Sequence, residues 1–137
     1  MAPFHLAFPV HDLDAARGFY TGLLGCAEGR SSARWVDFDF RGHQIVAHLA
    51  PELCGPGATN RVDAAEVPVR HFGLVLELAE WRALAARLEA AGAPFLIAPQ
   101  TRFEGQPGEQ ATLFLSDPSG NAIELKAFAD AGQLFAR

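Results

Sequence analysis

Two histidines and one glutamate are the residues of this chain whose types and positions best suit metal binding. His5 and His71 each lie near the start of an apolar run, and Glu124 lies within a third such run. Successive side chains of a strand point to opposite faces, so each polar residue faces away from its apolar neighbours. Two imidazoles and one carboxylate with open positions are the ligand set of non-haem Fe(II) oxygenases. The pattern predicts one divalent metal bound by His5, His71 and Glu124.

The structural alternative is that each histidine is simply hydrogen-bonded, which is the commoner role of a lone histidine in a strand. The placement of the two histidines is matched, however, because each is followed two positions later by a small residue, Ala7 or Gly73. Glu124 is flanked in the same way by apolar Ile123 and Leu125. A lone carboxylate in a cleft is costly, and a bound cation removes that cost. The matched placement therefore favours a shared site.

The elements that must position these residues occur twice in the same order. In the first half Asp12 is a candidate helix N-cap, and Gly25 follows the helical pattern as its stop. In the second half an apolar run over 71–78 leads into a helix that includes Trp81 and ends at Gly92. The expected strands are Phe4–Val10, Trp35–Phe40 and Gln44–Leu49 in the first half, then Phe95–Ala98, Ala111–Leu115 and Ala122–Phe128 in the second.

These elements predict an α+β fold of two tandem βαβββ modules, whose strands form a curved mixed sheet around a metal-binding cavity. A chain of 137 residues is expected to form a single domain, residues 1–137. Module one spans about residues 1–50 and module two about 71–128, and the second strand of module one is poorly defined around 28–32. The Pro- and Gly-containing segment 51–70 predicts a linker that crosses the surface.

Composition and charge exclude several classes of partner. The net charge is -5, the isoelectric point is near 5.4, and the eleven basic residues are scattered, unlike those of a nucleic-acid or anionic-membrane surface. No segment reaches the roughly 20 apolar residues of a membrane span, and the N-terminus lacks a signal-peptide pattern. Cys26 and Cys54 lack metal-binding spacing and are expected to be thiols. We therefore expect a cytoplasmic protein without nucleic-acid or membrane partners.

Four motifs follow one another in an order that is specific in combination. They are H-x-A at His5, D-L-x-x-A-x-x-F-Y-x-x-L-L-G from Asp12, H-F-G at His71, and D-P-S-G-N-x-I-E ending at Glu124. This order resembles the vicinal oxygen chelate superfamily, which includes glyoxalase I, bleomycin-resistance proteins and type I extradiol dioxygenases. The resemblance extends to about Phe128, and the segments GHQIVAHL and PGEQATLFLSDPSGNAIELKAF are most similar to short predicted type I extradiol dioxygenases.

The resemblance also implies how many ligands the metal has. Glyoxalase I-like members have a fourth ligand, Glu or Gln, at the position where this chain has Val46. The extradiol pattern has three ligands, and these match His5, His71 and Glu124. The resemblance thus implies three protein ligands and one divalent metal, with Fe(II) first and Mn(II), Zn(II) or Ni(II) as alternatives.

Further site residues are implied by the resemblance. His48, two residues beyond Val46 on the same strand face, matches an acid or base near the bound dioxygen, although an exposed strand-end histidine is the alternative. Phe114, ten residues before Glu124, replaces a tyrosine typical of extradiol enzymes, so it can line the pocket but cannot donate a hydrogen bond.

Gln110 is the third expected pocket residue, after Val46 and Phe114. The loop before it carries Arg102, Glu104, Gln106 and Glu109, which are either solvated or in contact with a polar substrate group.

The resemblance implies a metal-dependent extradiol-type dioxygenase that cleaves a catechol-like vicinal diol with O2. One alternative is a glyoxalase-like metal-dependent isomerase or lyase, in which His48 or a water fills the vacant position at Val46. Another is a non-enzymatic protein that binds a small molecule such as an antibiotic. The resemblance also implies a homodimer.

Overall fold

The computed structural model describes residues 1–137 and divides into two compact units. The first unit comprises Met1–Pro56 together with Asp117–Asn121, and the second comprises Gly57–Ser116 together with Ala122–Arg137. None of the helices has both the length and the apolar character needed to cross a membrane.

The first unit contains a four-stranded mixed sheet and one helical segment. Its elements are β1 (His5–Val10), α1 (Leu13–Arg17), a π-helical continuation (Gly18–Leu23), β2 (Ala27–Ser31), β3 (Trp35–Phe40), β4 (His43–Leu49) and a 3-10 turn (Pro51–Leu53). The strand order is β1-β4-β3-β2, with β1 parallel to β4 and the other neighbours antiparallel. Asp12 accepts a hydrogen bond of 2.7 Å from the Ala15 N–H, and Gly25 follows the helix with a φ of 76°. Both predicted helix ends are confirmed.

The core of the first unit is centred on the fully buried Tyr20. Its ring lies 5.2 Å from Phe8, 4.9 Å from Phe19 and 5.1 Å from Phe38, measured between ring centroids. Its hydroxyl donates a 2.7 Å hydrogen bond to Asp117. Burial, with the adjacent carboxylate, raises the pKa of Tyr20 well above its usual value. Tyr20 is therefore a core residue, as its position in the apolar helical pattern predicts.

The second unit contains a second four-stranded mixed sheet, a helix and a hairpin. Its elements are β5 (Thr59–Val62), β6 (Ala65–Pro68), β7 (His71–Val75), α2 (Leu78–Ala90), β8 (Phe95–Arg102), β9 (Gln110–Ser116), β10 (Ala122–Phe128) and a 3-10 turn (Ala131–Gln133). The strand order is β7-β10-β9-β8, with β7 parallel to β10. α2 packs its buried Trp81 and Leu88 towards this sheet, and the Trp81 indole donates a 2.7 Å hydrogen bond to the Leu125 carbonyl.

The α+β class and the repeated βαβββ order are confirmed, with corrections to some segments. β7 ends at Val75 rather than continuing to residue 78, because α2 begins at Leu78. β8 continues beyond residue 98 to Arg102, because it pairs with β9 as far as Gln110. The strand that was poorly defined in the first module is β2, and it pairs with β3.

The expected linker 51–70 contains the β5–β6 hairpin. Its two turn residues, Asp63 and Ala64, both have positive φ values, of 45° and 65°. Positive φ at both turn positions is typical of the tight turns that connect two strands, and glycine or asparagine is the usual sequence signal for them. Neither is present in this turn, and Asp63 supplies only the first half of the alternative Asp-Gly signal, so the local signature of the hairpin is weak.

Candidate metal centre

His71 and Glu124 lie on the neighbouring parallel strands β7 and β10 of the second unit. His71 is opposite Ala122 and Gly73 is opposite Glu124, which places both side chains on one face of the sheet. The His71 Nε2 atom is 3.7 Å from the Glu124 Oε1 atom. Two bonds of about 2.1 Å at a tetrahedral angle would separate two donor atoms by roughly 3.4 Å. The observed separation therefore fits a single ion bound by both atoms.

Both histidines are hydrogen-bonded in a way that leaves Nε2 free for a metal. The Nδ1 atom of His71 donates to the Pro68 carbonyl over 2.7 Å, and Nδ1 of His5 donates to Oε1 of Gln44 over 2.8 Å. Gln44 in turn donates from Nε2 to the Asp37 carboxylate over 3.1 Å. Metal-binding histidines usually have such a partner on the second ring nitrogen, because it selects the tautomer and orients the ring.

Glu124 is buried, with 8% of its surface exposed, and both of its carboxylate oxygens have polar neighbours. Oε2 accepts a 2.7 Å hydrogen bond from the hydroxyl of the fully buried Thr112. Oε1 faces the His71 ring and is also 3.6 Å from the Lys126 ammonium. A buried carboxylate needs such partners to offset the loss of hydration. One oxygen is thus held by the protein, while the other is directed to the histidine.

Gly73 is required by the backbone of the neighbouring strand. A Cβ atom at this position would lie 1.5 Å from the carbonyl oxygen of Glu124, which is a severe overlap. The small residue that follows His71 is therefore needed for strand packing as well as for the open space beside the imidazole. The missing side chain lets β7 and β10 approach closely, and this approach places His71 beside Glu124.

An open pocket of about 200 Å³ surrounds the pair, lined by His71, Gly73, Leu74, Val75, Glu124 and Lys126. Phe114 is opposite Glu124 on β9 and is fully buried. Its ring meets the His71 ring edge-on, with 5.0 Å between centroids and 75° between planes. Phe114 therefore packs against the histidine side chain and contributes to its orientation.

The other predicted site residues of β1 and β4 lie in the first unit. The register places His5 opposite Gln44, Ala7 opposite Val46 and Pro9 opposite His48, so His5, Val46 and His48 share one face of that sheet. His5 and His48 are exposed, and Val46 is buried. The structure brings His71 and Glu124 together, and within neither unit do three or more His, Cys, Asp or Glu side chains cluster closely enough to hold a metal.

Gln110, the remaining predicted pocket residue, is half-buried at the start of β9. It is opposite Phe128 on one side and Arg102 on the other. Its amide donates only a long 3.4 Å hydrogen bond to the Gly108 carbonyl. Gln110 therefore shares a sheet face with Phe114 and Glu124, but it lies four residues before Phe114 on β9.

Three polar residues around the candidate ligands were not predicted as members of the site: Gln44, Thr112 and Lys126. The strand period of two already places Thr112 on the face of Phe114 and Lys126 on that of Glu124, so the sequence does indicate the sheet face of these two side chains. Their partners were not predictable, because the contact between Thr112 and Glu124 depends on the register of β9 against β10.

The sequence model of the Glyoxalase/Bleomycin resistance protein/Dioxygenase superfamily matches residues 3–125. The chain belongs to this superfamily. Its members typically bind a divalent metal, and the donors on β7 and β10 have the chemistry and spacing for one.

Solved structures with the same fold include a glyoxalase/bleomycin resistance protein/dioxygenase from Alicyclobacillus acidocaldarius. It is 34% identical with a TM-score of 0.83, and the match covers 98% of this chain and 96% of that protein. The fosfomycin resistance protein FosX from Listeria monocytogenes is 17% identical, with a TM-score of 0.71 and coverage of 98% of each chain. Lactoylglutathione lyase from Agrobacterium tumefaciens is 21% identical, with a TM-score of 0.65 and coverage of 99% and 97%. The last two similarities show the fold alone. A search of curated proteins finds no match.

Proposed function

We propose that this superfamily member is a divalent-metal enzyme with His5, His71 and Glu124 as ligands, and that it cleaves a catechol-like vicinal diol with dioxygen. The observation that supports this best is that both histidines have Nδ1 engaged and Nε2 free. Two imidazoles of the same tautomer and one carboxylate form the three-ligand set of non-haem Fe(II) oxygenases. Val46 adds no fourth ligand, so coordination positions stay open for substrate.

When bound, the ion supplies Lewis-acid chemistry and, as Fe(II), the redox chemistry that the reaction of a diol with dioxygen needs. The chain's own residues have separate tasks. Gln44 and the Pro68 carbonyl keep the two imidazoles in the coordinating tautomer, and Thr112 orients Glu124. His48 is the proposed acid or base, because it is exposed and an imidazole can both donate and accept a proton.

The proposed ligands come from both units, and we propose a cytoplasmic homodimer as the working form. Mixing two inactive variants, His5→Ala and His71→Ala, tests where His5 comes from. If the ligands of one site come from two copies, a mixed dimer regains one complete site. If they come from one copy, every site in the mixture lacks a ligand and no activity returns.

The main test combines metal binding with oxygen consumption on a panel of catechols, after anaerobic loading with Fe(II). His71→Ala is expected to lose both metal binding and oxygen uptake. His48→Ala is expected to bind metal normally and to lose uptake, since its proposed role is proton transfer. His43→Ala is the control, because His43 is outside the proposed ligand set. Iron binding without oxygen uptake on any catechol would contradict the dioxygenase proposal.

A lyase or isomerase that needs no redox chemistry is the second candidate, and Phe114 favours it. The buried Phe114 has no hydroxyl to assist a ring-cleaving reaction. This alternative predicts turnover with Zn(II), which is redox-inert, and no dependence on oxygen. A protein that binds no metal near micromolar concentrations would instead fit a non-enzymatic small-molecule binder.

A further inference from the structure

Arg102, the last residue of β8, is a buried cation with an unpaired edge. Only 5% of its surface is exposed, and its Nε and Nη2 atoms are buried without a hydrogen-bond partner. A charge that is removed from water without partners destabilises a fold. The folded chain thus retains a costly group whose hydrogen-bonding capacity it does not use.

The two unpaired nitrogens are suited to bind an oxyanion. Nε–H and one Nη2–H point the same way along one edge of the planar guanidinium. This edge pairs with a carboxylate or phosphonate through two parallel hydrogen bonds. The Arg102 Cζ atom lies 5.5 Å from the centre of the Phe114 ring, a cation–π contact that restrains the group. The donors are therefore held in place before a ligand arrives.

Arg102 is on the same sheet face as the proposed metal ligands of the second unit. It is opposite Gln110 on β9, and Phe114 of that strand is opposite Glu124. The Phe114 ring contacts both Arg102 and His71, so a single aromatic residue connects the cation with the metal pair. Lys126 adds a second cation to this face. A face with two cations and a metal site is suited to a negatively charged substrate.

We infer that Arg102 is the anion-binding residue of the proposed site, and that the substrate carries a carboxylate or phosphonate besides the group that meets the metal. This inference rests on the proposed metal-dependent function and narrows its substrate to an anionic class. A catechol with an acidic substituent meets this requirement, and an unsubstituted catechol does not.

The loop 103–109 directly after Arg102 is the part of the chain that can admit such a ligand. It has three hydrogen bonds to other segments, at 3.4 Å from the Phe103 N–H to Asp63, 3.2 Å from the Gly108 N–H to Gln133 and 3.1 Å from the Ala129 N–H to the Glu109 carbonyl. An open pocket of about 350 Å³ lies between this loop and residues 129–133. This pocket gives the loop space to shift when an anion binds beside Arg102.

The test compares benzoate and phenylphosphonate with the neutral isostere benzamide, by calorimetry on the 137-residue chain with and without bound Zn(II). We expect both anions to bind and benzamide to bind at least about tenfold more weakly, since it lacks the charge that the guanidinium recognises. Arg102→Gln is expected to lose about tenfold to a hundredfold in benzoate affinity, and Arg102→Lys to lose part of it. Arg82→Gln, at an exposed position on α2, is the control and is expected to bind normally.

An NMR measurement keeps the test independent of folding of the variants. The Nε–H resonance of Arg102 is expected to shift with benzoate and to stay unchanged with benzamide. Arg102→Gln is also expected to melt no lower than the parent protein, because it removes an unpaired charge. Equal binding of benzoate and benzamide, an unaffected Arg102→Gln variant, or no binding of either anion would overturn the inference.

The outcomes for the metal and for the anion are separable. A protein that binds Zn(II) but none of the anions refutes the role of Arg102 and leaves the proposed metal function intact. A protein that binds anions through Arg102 but no metal refutes the proposed function, and with it the placement of the anion in a metal site.

Discussion

The Thr112→Val variant is expected to weaken metal binding although it removes no ligand. Thr112 is fully buried, and its hydroxyl donates a 2.7 Å hydrogen bond to Oε2 of Glu124. Valine has almost the same shape, so the change removes the donor and preserves the packing. The carboxylate then loses the contact that orients it, while Lys126 still faces its other oxygen at 3.6 Å.

The size of the effect follows from the chemistry of this contact. A hydrogen bond to a charged group contributes about 1.5–3 kcal/mol, and each 1.4 kcal/mol corresponds to about tenfold in affinity. Removing a residue that hydrogen-bonds to a metal ligand typically lowers the metal affinity by about 10–100-fold. Both arguments predict that the metal Kd of Thr112→Val rises by about 10–100-fold.

Competition with a chromogenic chelator for Mn(II) or Zn(II) would measure this change. Thr59→Val is a matched control, because Thr59 makes the same kind of bond, 2.9 Å to Glu66, at an exposed position in the same unit. The control is expected to bind metal normally. A Thr112→Val protein that melts normally and binds metal as tightly as the parent would refute the role of Glu124 or of its hydroxyl partner.

Three further outcomes are expected. Gly73→Ala should unfold at a clearly lower temperature, because its Cβ would overlap the carbonyl oxygen of β10 at 1.5 Å, whereas Gly22→Ala has no atom within 4 Å and should melt normally. Equal melting temperatures would contradict the proposed backbone contact. Tyr20→Phe should lower the free energy of unfolding in urea by about 1.5–3 kcal/mol, since the buried Asp117 loses a charged hydrogen bond; an unchanged urea midpoint would argue against it. Burial raises the pKa of Cys26 from 9.0 to about 11, so the unfolded thiol loses its proton first as the pH rises. The free energy of unfolding should therefore not depend on this thiol below about pH 9 and should fall by up to about 3 kcal/mol as the pH rises towards 11, and Cys26→Ala should remove that part of the fall in urea titrations.

Local periodicity was sufficient to predict much of the fold. The alternation of side chains along strands placed His5, His71 and Glu124 on faces opposite their apolar neighbours, and β1, β7 and β10 are strands as expected. Asp12 and Gly25 marked the ends of the first helix correctly. These features depend on backbone geometry within a few residues, so they can be predicted from the amino-acid sequence alone.

The contacts that define the candidate site depended on tertiary structure. The Thr112 hydroxyl reaches Glu124 only because β9 pairs with β10 in one register, and Gly73 is needed only because the Glu124 backbone crosses beside it. Arg102 belonged to a loop of polar residues in the sequence, and pairing with β9 made it a buried strand end with two unpaired donors. The sequence by itself determined which side chains share a strand face, because that is a covalent property of the backbone. Which of them meet, and which are removed from water, was decided by strand register and packing between residues distant in the chain.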